Sequence, residues 1–306
     1  MGLGLRDGRR MTATLIDGNQ LAERMQAEIR AQVAAMRDEG RPLKLTAILV
    51  GEPAAGMVYA RSQARQCERL DITYDLVHLP AENTAAQLSA KIDELNADPT
   101  VTGIMLHLPL PAGIDPHEMQ YRIDPYKDVE GVNPANIGMV FYNHPILAPC
   151  TALAVVEIVN ELQVPLKGMH AVVVGQGPIV GRPISVLLAQ RQATVTACNE
   201  FTPDLALHTR TADLLVVAAG KAGLIKAEHV KPGAVVIDVG INRVQTIGTD
   251  GKTVSKTVGD IDFDSVQAVA GALTPVPGGV GPVTVTMLLR NTVEAAKKQA
   301  ARAATQ

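Results

Sequence analysis

The chain has 306 residues, of which 47% are hydrophobic and 19% charged, and its net charge is −3. This is the make-up of a globular protein long enough for two α/β domains. The slightly acidic balance, with no basic run, argues against a nucleic-acid partner, and no unbroken apolar stretch reaches the length of a membrane span.

Residues 1–10 are basic and glycine-rich but have no apolar core, so they read as an extension and not as a secretory signal. Met11 offers a second possible start. Leu21, Met25, Ile29, Val33 and Met36 recur at helical spacing, which predicts an amphipathic helix from about Gly18 to Glu39. Lys44 to Val50 reads as a strand closed by Gly51, Met57 to Leu70 as a helix and Thr73 to Leu79 as a second strand. A helix over Thr84 to Asn96 and a strand over Gly103 to Leu108 complete a βαβαβ series, which calls for a parallel sheet covered by helices. Residues 115–150 are rich in Pro and Asn and read as irregular, and a helix from about Ala152 to Leu162 follows. A second series has strands at Ala171–Val174, Ala193–Ala197, Ala212–Ala218 and Ala234–Val239, which complete its sheet, and a last helix runs from about Val283 to Ala300. Cys67, Cys150 and Cys198 are far apart and lack CxxC spacing, so buried thiols in a reducing cytoplasm are expected. The chain has no Trp, so aliphatic residues and Met must build the core.

Two glycine-proline segments carry the functional signal. In AVVVGQGPIVGRP, from Ala171 to Pro183, an apolar run stops at Gly175, and Gly177 and Gly181 follow. A strand, a turn without side chains and a helix start form a dinucleotide phosphate site. Gly175 permits the turn, Gly177 opens the backbone to a pyrophosphate, and Gly181 lets the helix pack on the strand. The spacing is GxGxxxG, one residue longer than the commonest fingerprint. Ligands on open parallel sheets bind beyond the carboxyl ends of the strands, the side on which the turns at 175–181, 220–223 and 278–281 fall. The second segment is TPVPGGVGPVT, from Thr274 to Thr284.

From about Ala13 to Ala300 the chain resembles the bifunctional methylenetetrahydrofolate dehydrogenase/methenyltetrahydrofolate cyclohydrolase family, the FolD-type enzymes. The resemblance rests on VGEPAAGMVYARSQ (50–63), GIMLHLPLP (103–111), KDVEGVNP (127–134), GQGPIVGRP (175–183), VVIDVGIN (235–242), VGDIDF (258–263) and TPVPGGVGP (274–282). It implies an N-terminal βαβ parallel-sheet domain, a Rossmann-like NAD(P) domain and a C-terminal helix returning to the first. The expected division is 11–150 plus 283–306 for folate binding and catalysis, and 151–282 for the nucleotide. The resemblance also implies a folate cleft between the domains and a homodimer. Tyr59, Glu130, Pro277, Gly278 and Gly279 are then the expected folate contacts. Gly175, Gln176, Gly177, Ile179, Val180, Glu200, Gly220, Gly240 and Ile241 are the expected nucleotide contacts. No metal is implied.

Four positions depart from the family pattern. Where the family has Lys four residues after the Tyr, this chain has Gln63 after Tyr59; where it has Gln in the strand before LPLP, this chain has His107. Glu130 replaces the Asp of KDVDG, and Gly56 stands where Ser is common. Tyr59 offers a ring for stacking. Gln63 lies on the same helix face and carries no titratable group. His107 could titrate near neutrality and take over a proton-transfer role. Glu130 would grip pterin nitrogens from one methylene further out, and Lys127 and Asp128 read as loop-capping residues. Hydride transfer from methylenetetrahydrofolate requires no protein base, whereas hydrolysis of the methenyl product requires proton management. The expectation is therefore a methylenetetrahydrofolate dehydrogenase with weak or absent cyclohydrolase activity, His107 being a possible substitute base. A dehydrogenase of a modified folate or other cyclic amine, and a non-catalytic folate- or nucleotide-binding paralogue, are the alternatives. NADP requires cationic groups near its 2′-phosphate. Gln176 and Glu200 occupy the places where the family often carries basic residues, so NAD is favoured, although Arg182 or Arg191 could serve a phosphate.

Overall fold

The computed structural model describes residues 13–247 and 253–305. The proposed extension at residues 1–10 lies outside them. The chain divides into two compact units, Gln20–Ala154 with Val283–Gln306 and the residues up to Asn19 with Val155–Pro282.

The chain begins with strand β1 (Thr14–Leu15) and helix α1 (Gly18–Asp38). The periodic residues of α1, Leu21, Met25, Ile29, Val33 and Met36, are all buried. Strand β2 (Lys44–Val50), helix α2 (Ala54–Arg69), strand β3 (Thr73–Leu79), helix α3 (Ala85–Ala97) and strand β4 (Gly103–Leu106) follow. These strands form a parallel sheet ordered β3-β2-β4. The central strand is β2, whose unbroken buried run from Leu45 is covered on both faces. Helix α3 starts at a capping box in which Thr84 Oγ1 accepts from the Gln87 amide and Gln87 Oε1 accepts from the Thr84 amide.

Residues 115–150, expected to be irregular, contain helices α4 (Pro116–Arg122) and α5 (Pro134–Phe141). Asp115 and Asn133 cap them and a Pro stands at each first helical position. Cap plus Pro is sufficient to start a helix even where no apolar periodicity can develop. Helix α6 (Cys150–Glu161) leads from this unit into the second.

The second unit contains β5 (His170–Val174), α7 (Gly181–Gln190), β6 (Thr194–Cys198), α8 (Leu205–Thr209), β7 (Leu214–Val217) and β8 (Val235–Asp238). A hairpin of β9 (Asn242–Ile247) and β10 (Thr253–Val258), helix α9 (Phe263–Gln267) and strand β11 (Ala272–Leu273) follow. The parallel sheet has six strands in the order β1-β11-β8-β7-β5-β6, so the four expected strands do not complete it. Thr14–Leu15, expected with the first domain, pairs with Ala272–Leu273 at the sheet edge. Two residues are too few to show a strand period. The core of this unit is aliphatic, with Val172, Val174, Leu215, Val217 and Val236 buried at its centre.

Helix α10 (Val280–Ala303) begins in the second unit and continues into the first. There the Asn291 amide donates to the carbonyls of Val129 and Ala148 at 2.8 and 2.9 Å. Gln299 donates to those of Thr102 and Tyr126. Among the described residues no helix is long and apolar enough to cross a membrane. Cys67, Cys150 and Cys198 are buried and unpaired.

Candidate active site

In the first unit, α2 and the carboxyl end of β4 bring together three of the singled-out residues. Met105 and His107 lie two residues apart and so project to the same face of the strand path. Gln63, only 2% exposed, lies on the buried face of α2, where its Nε2 donates to the Met105 thioether at 2.9 Å. The Tyr59 ring meets the His107 imidazole edge-on at 5.8 Å between centroids. Tyr59 is 43% exposed and offers an open aromatic face, whereas His107 is 3% exposed. Gln63 Oε1 and His107 Nε2 are both buried with no hydrogen-bond partner among the described residues. Two orphaned polar atoms, one on the helix that carries Tyr59 and one on the imidazole against its ring, mark a place where a polar ligand would find partners.

Glu130 arrives from the KDVEG segment, which runs beside β4: Ile104 bridges Asp128 in parallel and its amide donates to the Lys127 carbonyl. The Glu130 carboxyl accepts a long bond, 3.5 Å, from the Leu106 amide. Burial, and then the nearby Asp128 carboxylate, push the Glu130 acid up to about 8, so it holds its proton at neutrality. Burial moves His107 the other way, below its usual value, so its imidazole is neutral. Tyr59 is held above the usual phenol range, first by burial and then by the Glu130 charge. None of Tyr59, Gln63, His107 and Glu130 brings a cation.

Lys127 and Asp128 play the capping roles read from the sequence. Lys127 Nζ donates to the carbonyls of Leu95 and Asp98 at the end of α3. The Asp128 carboxylate accepts from the amides of Gly131 and Asn133 and from the Asn136 side chain.

In the second unit the turn after β5 has the form expected of a phosphate cradle. Gly175 has φ +95°, and a Cβ there would overlap the Ala218 carbonyl. A Cβ at Gly181 would overlap the Gly175 carbonyl, which explains the close approach of α7 to the turn, while the space over Gly177 is open. Ile179 and Val180 are half-buried on this turn, directly before α7. The Gln176 side chain folds back, donating to Val173 O and Ser185 Oγ, so it tethers the turn to α7. Glu200 is exposed just beyond β6, two residues after Cys198, whose carbonyl accepts the Gly175 amide at 2.8 Å.

A separate cavity of about 340 Å³ in the same unit gathers Gly240 and Ile241 with Pro277, Gly278 and Gly279. Ile241 is exposed and Gly278 has φ +103°. Asp238 also lines the cavity. Its acid is pushed up to about 6, chiefly by burial. Residue spacing gave no notice of Asp238 and Asp260 as loop-bracing groups, nor of Met105 as the partner of Gln63. No group of three His, Cys, Asp or Glu suited to a metal occurs among the described residues.

A six-stranded parallel sheet with a glycine turn feeding a helix, together with an α/β unit that carries a half-exposed tyrosine over a buried histidine, defines a two-domain α/β protein of the nucleotide-binding class. Residues 149–300 match the family model for the tetrahydrofolate dehydrogenase/cyclohydrolase NAD(P)-binding domain, and residues 16–130 match that for the catalytic domain. The chain belongs to the tetrahydrofolate dehydrogenase/cyclohydrolase family. It is 47% identical over 290 residues to a bifunctional protein FolD of Cupriavidus metallidurans, covering 95% of this chain and 99% of that one. It is 49% identical over 286 residues to a bifunctional protein FolD 2 of Mesorhizobium japonicum, covering 94% and 92%. The crystal structure of the bifunctional FolD dehydrogenase/cyclohydrolase from Campylobacter jejuni is similar, with TM-score 0.88, 39% identity and coverage of 94% and 99%.

Proposed function

We propose that the chain is a methylenetetrahydrofolate dehydrogenase of one-carbon metabolism, oxidising 5,10-methylenetetrahydrofolate to 5,10-methenyltetrahydrofolate with NAD in preference to NADP, and that its cyclohydrolase activity is weak or absent. The observation that carries the reading is the buried, neutral amide of Gln63 beside Met105, on the helix that presents Tyr59. Tyr59 stacks on the folate ring system. Glu130, protonated at neutrality, offers the pterin edge both a donor and an acceptor, and neutral His107 supplies an acceptor without a charge. When bound, the nicotinamide supplies a hydride acceptor. Hydride loss leaves positive charge on the one-carbon bridge. A wall of Gln63, His107 and the Tyr59 ring face does not repel that charge.

Ring opening of the methenyl product requires an incoming water to lose a proton. An amide cannot accept it, so this chain lacks the base where a family member has its amine. The turn from Gly175 to Val180, with Gly220, Gly240 and Ile241, is the proposed holder of the nucleotide. The open space over Gly177 fits a pyrophosphate. The exposed Glu200 carboxylate, close to that turn through Cys198, fits ribose hydroxyls and opposes a 2′-phosphate. The reading includes a homodimer and a cytoplasmic setting, the latter suited to three buried unpaired thiols.

The test is steady-state turnover of methylenetetrahydrofolate, read by the absorbance of the reduced nicotinamide, with NAD and NADP compared. Turnover with a lower KM for NAD is expected. Tight folate binding without turnover would show a non-catalytic paralogue instead.

A further inference from the structure

Two buried carboxylates in the second unit form a brace under the turns at the carboxyl ends of β7 and β8. Asp260 is fully buried. Its Oδ2 accepts from the Ala219 and Gly220 amides at 2.6 and 2.9 Å, and its Oδ1 accepts from Asn242 Nδ2 at 2.8 Å. Asp238 lies behind it. Its Oδ1 accepts from the Gly240 and Asp260 amides at 3.0 and 2.9 Å, and its Oδ2 from the Ile261 amide at 3.2 Å. The Asp238 amide donates to Thr274 Oγ1 at 2.7 Å, at the entry to the Pro275–Gly279 loop. Gly240 and Gly259 admit the carboxylates: a Cβ at Gly240 would overlap the Asp260 carboxylate, and one at Gly259 that of Asp238. The path is continuous from Gly220 through Asp260 and Asp238 to Thr274. Every bond in it is an amide contact to a carboxylate or to Thr274.

We propose that Asp260 is a positioning residue for nicotinamide-nucleotide binding, its carboxylate setting the Ala219–Gly220 turn while Asp238 relays that setting to the Pro275–Gly279 loop. The inference rests on the reading above that the turns at Gly220 and Gly240 hold the nucleotide. A turn with Gly220 at φ +66° leaves two adjacent N–H groups pointing at one oxygen. Without that oxygen nothing in the network fixes their direction, and a site that depends on backbone geometry loosens.

The donor pattern makes the idea testable. Both Asp260 oxygens face donors, so in Asp260→Asn the NH2 must oppose either the two backbone amides or Asn242 Nδ2. Asn242 Nδ2 is held as a donor, since it also donates to the Gly259 carbonyl at 3.1 Å; adding Asn242→Ala removes that opposing donor, so the new amide can turn its oxygen to the two turn N–H groups. The measurement is the Kd for NAD and NADP by titration calorimetry on the full chain, with Tm recorded in parallel. Asp260→Asn should weaken binding of the preferred nucleotide by about tenfold or more, and the double variant should recover part of that loss. Should Asp260→Asn not fold, Asn242→Ala removes one of the three donors and should still raise Kd by about threefold. A folded Asp260→Asn with unchanged Kd and only a lower Tm would overturn the proposal. So would a double variant no tighter than the single, or an unchanged Kd in Asn242→Ala. If the unaltered chain binds neither nucleotide, the proposed function itself fails, and this inference with it.

Discussion

Gln63→Lys is the perturbation whose consequences can be worked out furthest. Gln63 is 2% exposed and donates to Met105 Sδ. A lysine there is longer by about one bond and brings an amine into surroundings that disfavour its charge. Burial lowers the amine below its usual value of about 10.4, towards the range in which the neutral form accepts a proton. General-base catalysis is typically worth about 10²–10⁴ in rate, or about 3–5 kcal/mol of barrier. Hydrolysis of methenyltetrahydrofolate should therefore rise by about that factor in Gln63→Lys. Dehydrogenation should persist but slow, because any protonated amine opposes the developing cation. The variant should also melt at a lower temperature, having replaced a fitted amide with a poorly solvated amine. The assay supplies methenyltetrahydrofolate and follows its loss against the uncatalysed background. Two results refute the reasoning: hydrolysis by the unaltered chain at a rate comparable to its dehydrogenation, or a folded, dehydrogenating Gln63→Lys with no gain in hydrolysis. In the first case, loss of hydrolysis in His107→Gln would identify His107 as the base.

Other expectations follow from the same geometry. Glu130 has a folded value of about 8, raised from 4.5; its stabilising contribution is fully present below the lower value and is lost as pH rises through the folded one. Relative to the unaltered chain, Glu130→Gln should gain stability as pH climbs from 4.5 to about 8, read by denaturant midpoints, and a gap that does not change with pH would contradict this. His107 shifts oppositely, so its contribution is present above the usual imidazole value and is lost as pH falls through the lower folded one. His107→Gln should accordingly lose less stability as pH falls below the usual imidazole value of about 6.5. Glu200→Ala should lower the KM for NADP more than that for NAD; no change in either would remove Glu200 from the specificity argument. Asn291→Ala leaves the buried Ala148 carbonyl unpaired and the Val129 carbonyl with only the Cys150 thiol, and should cost about 1–3 kcal/mol, checked by denaturant unfolding.

What could be read in the sequence was what repeats locally. The α1 stripe, the apolar strands and the GxGxxxG turn each carry their signal within one element, and each forms where expected. The edge strands β1 and β11 could not be read, because two residues show no period. Helices α4 and α5 were signalled only by Asp-Pro and Asn-Pro steps. At the candidate site, the Tyr59–Gln63 spacing predicted a shared helix face. It did not predict that Gln63 would be buried on Met105, since that pair is 42 residues apart. The Asp260 brace was harder still. Its backbone partners lie 40 and 41 residues away and become neighbours only when the sheet aligns the ends of β7 and β8.

The central claim is that this chain oxidises the folate bridge and leaves the methenyl ring closed. The most direct measurement is a single reaction with methylenetetrahydrofolate and NAD in which reduced nicotinamide, methenyltetrahydrofolate and 10-formyltetrahydrofolate are quantified together over time. The account predicts that methenyltetrahydrofolate accumulates in step with reduced nicotinamide, with formyl product no faster than uncatalysed ring opening. Formyl product appearing at the rate of nicotinamide reduction, or no reduction at all with folate bound, would contradict it.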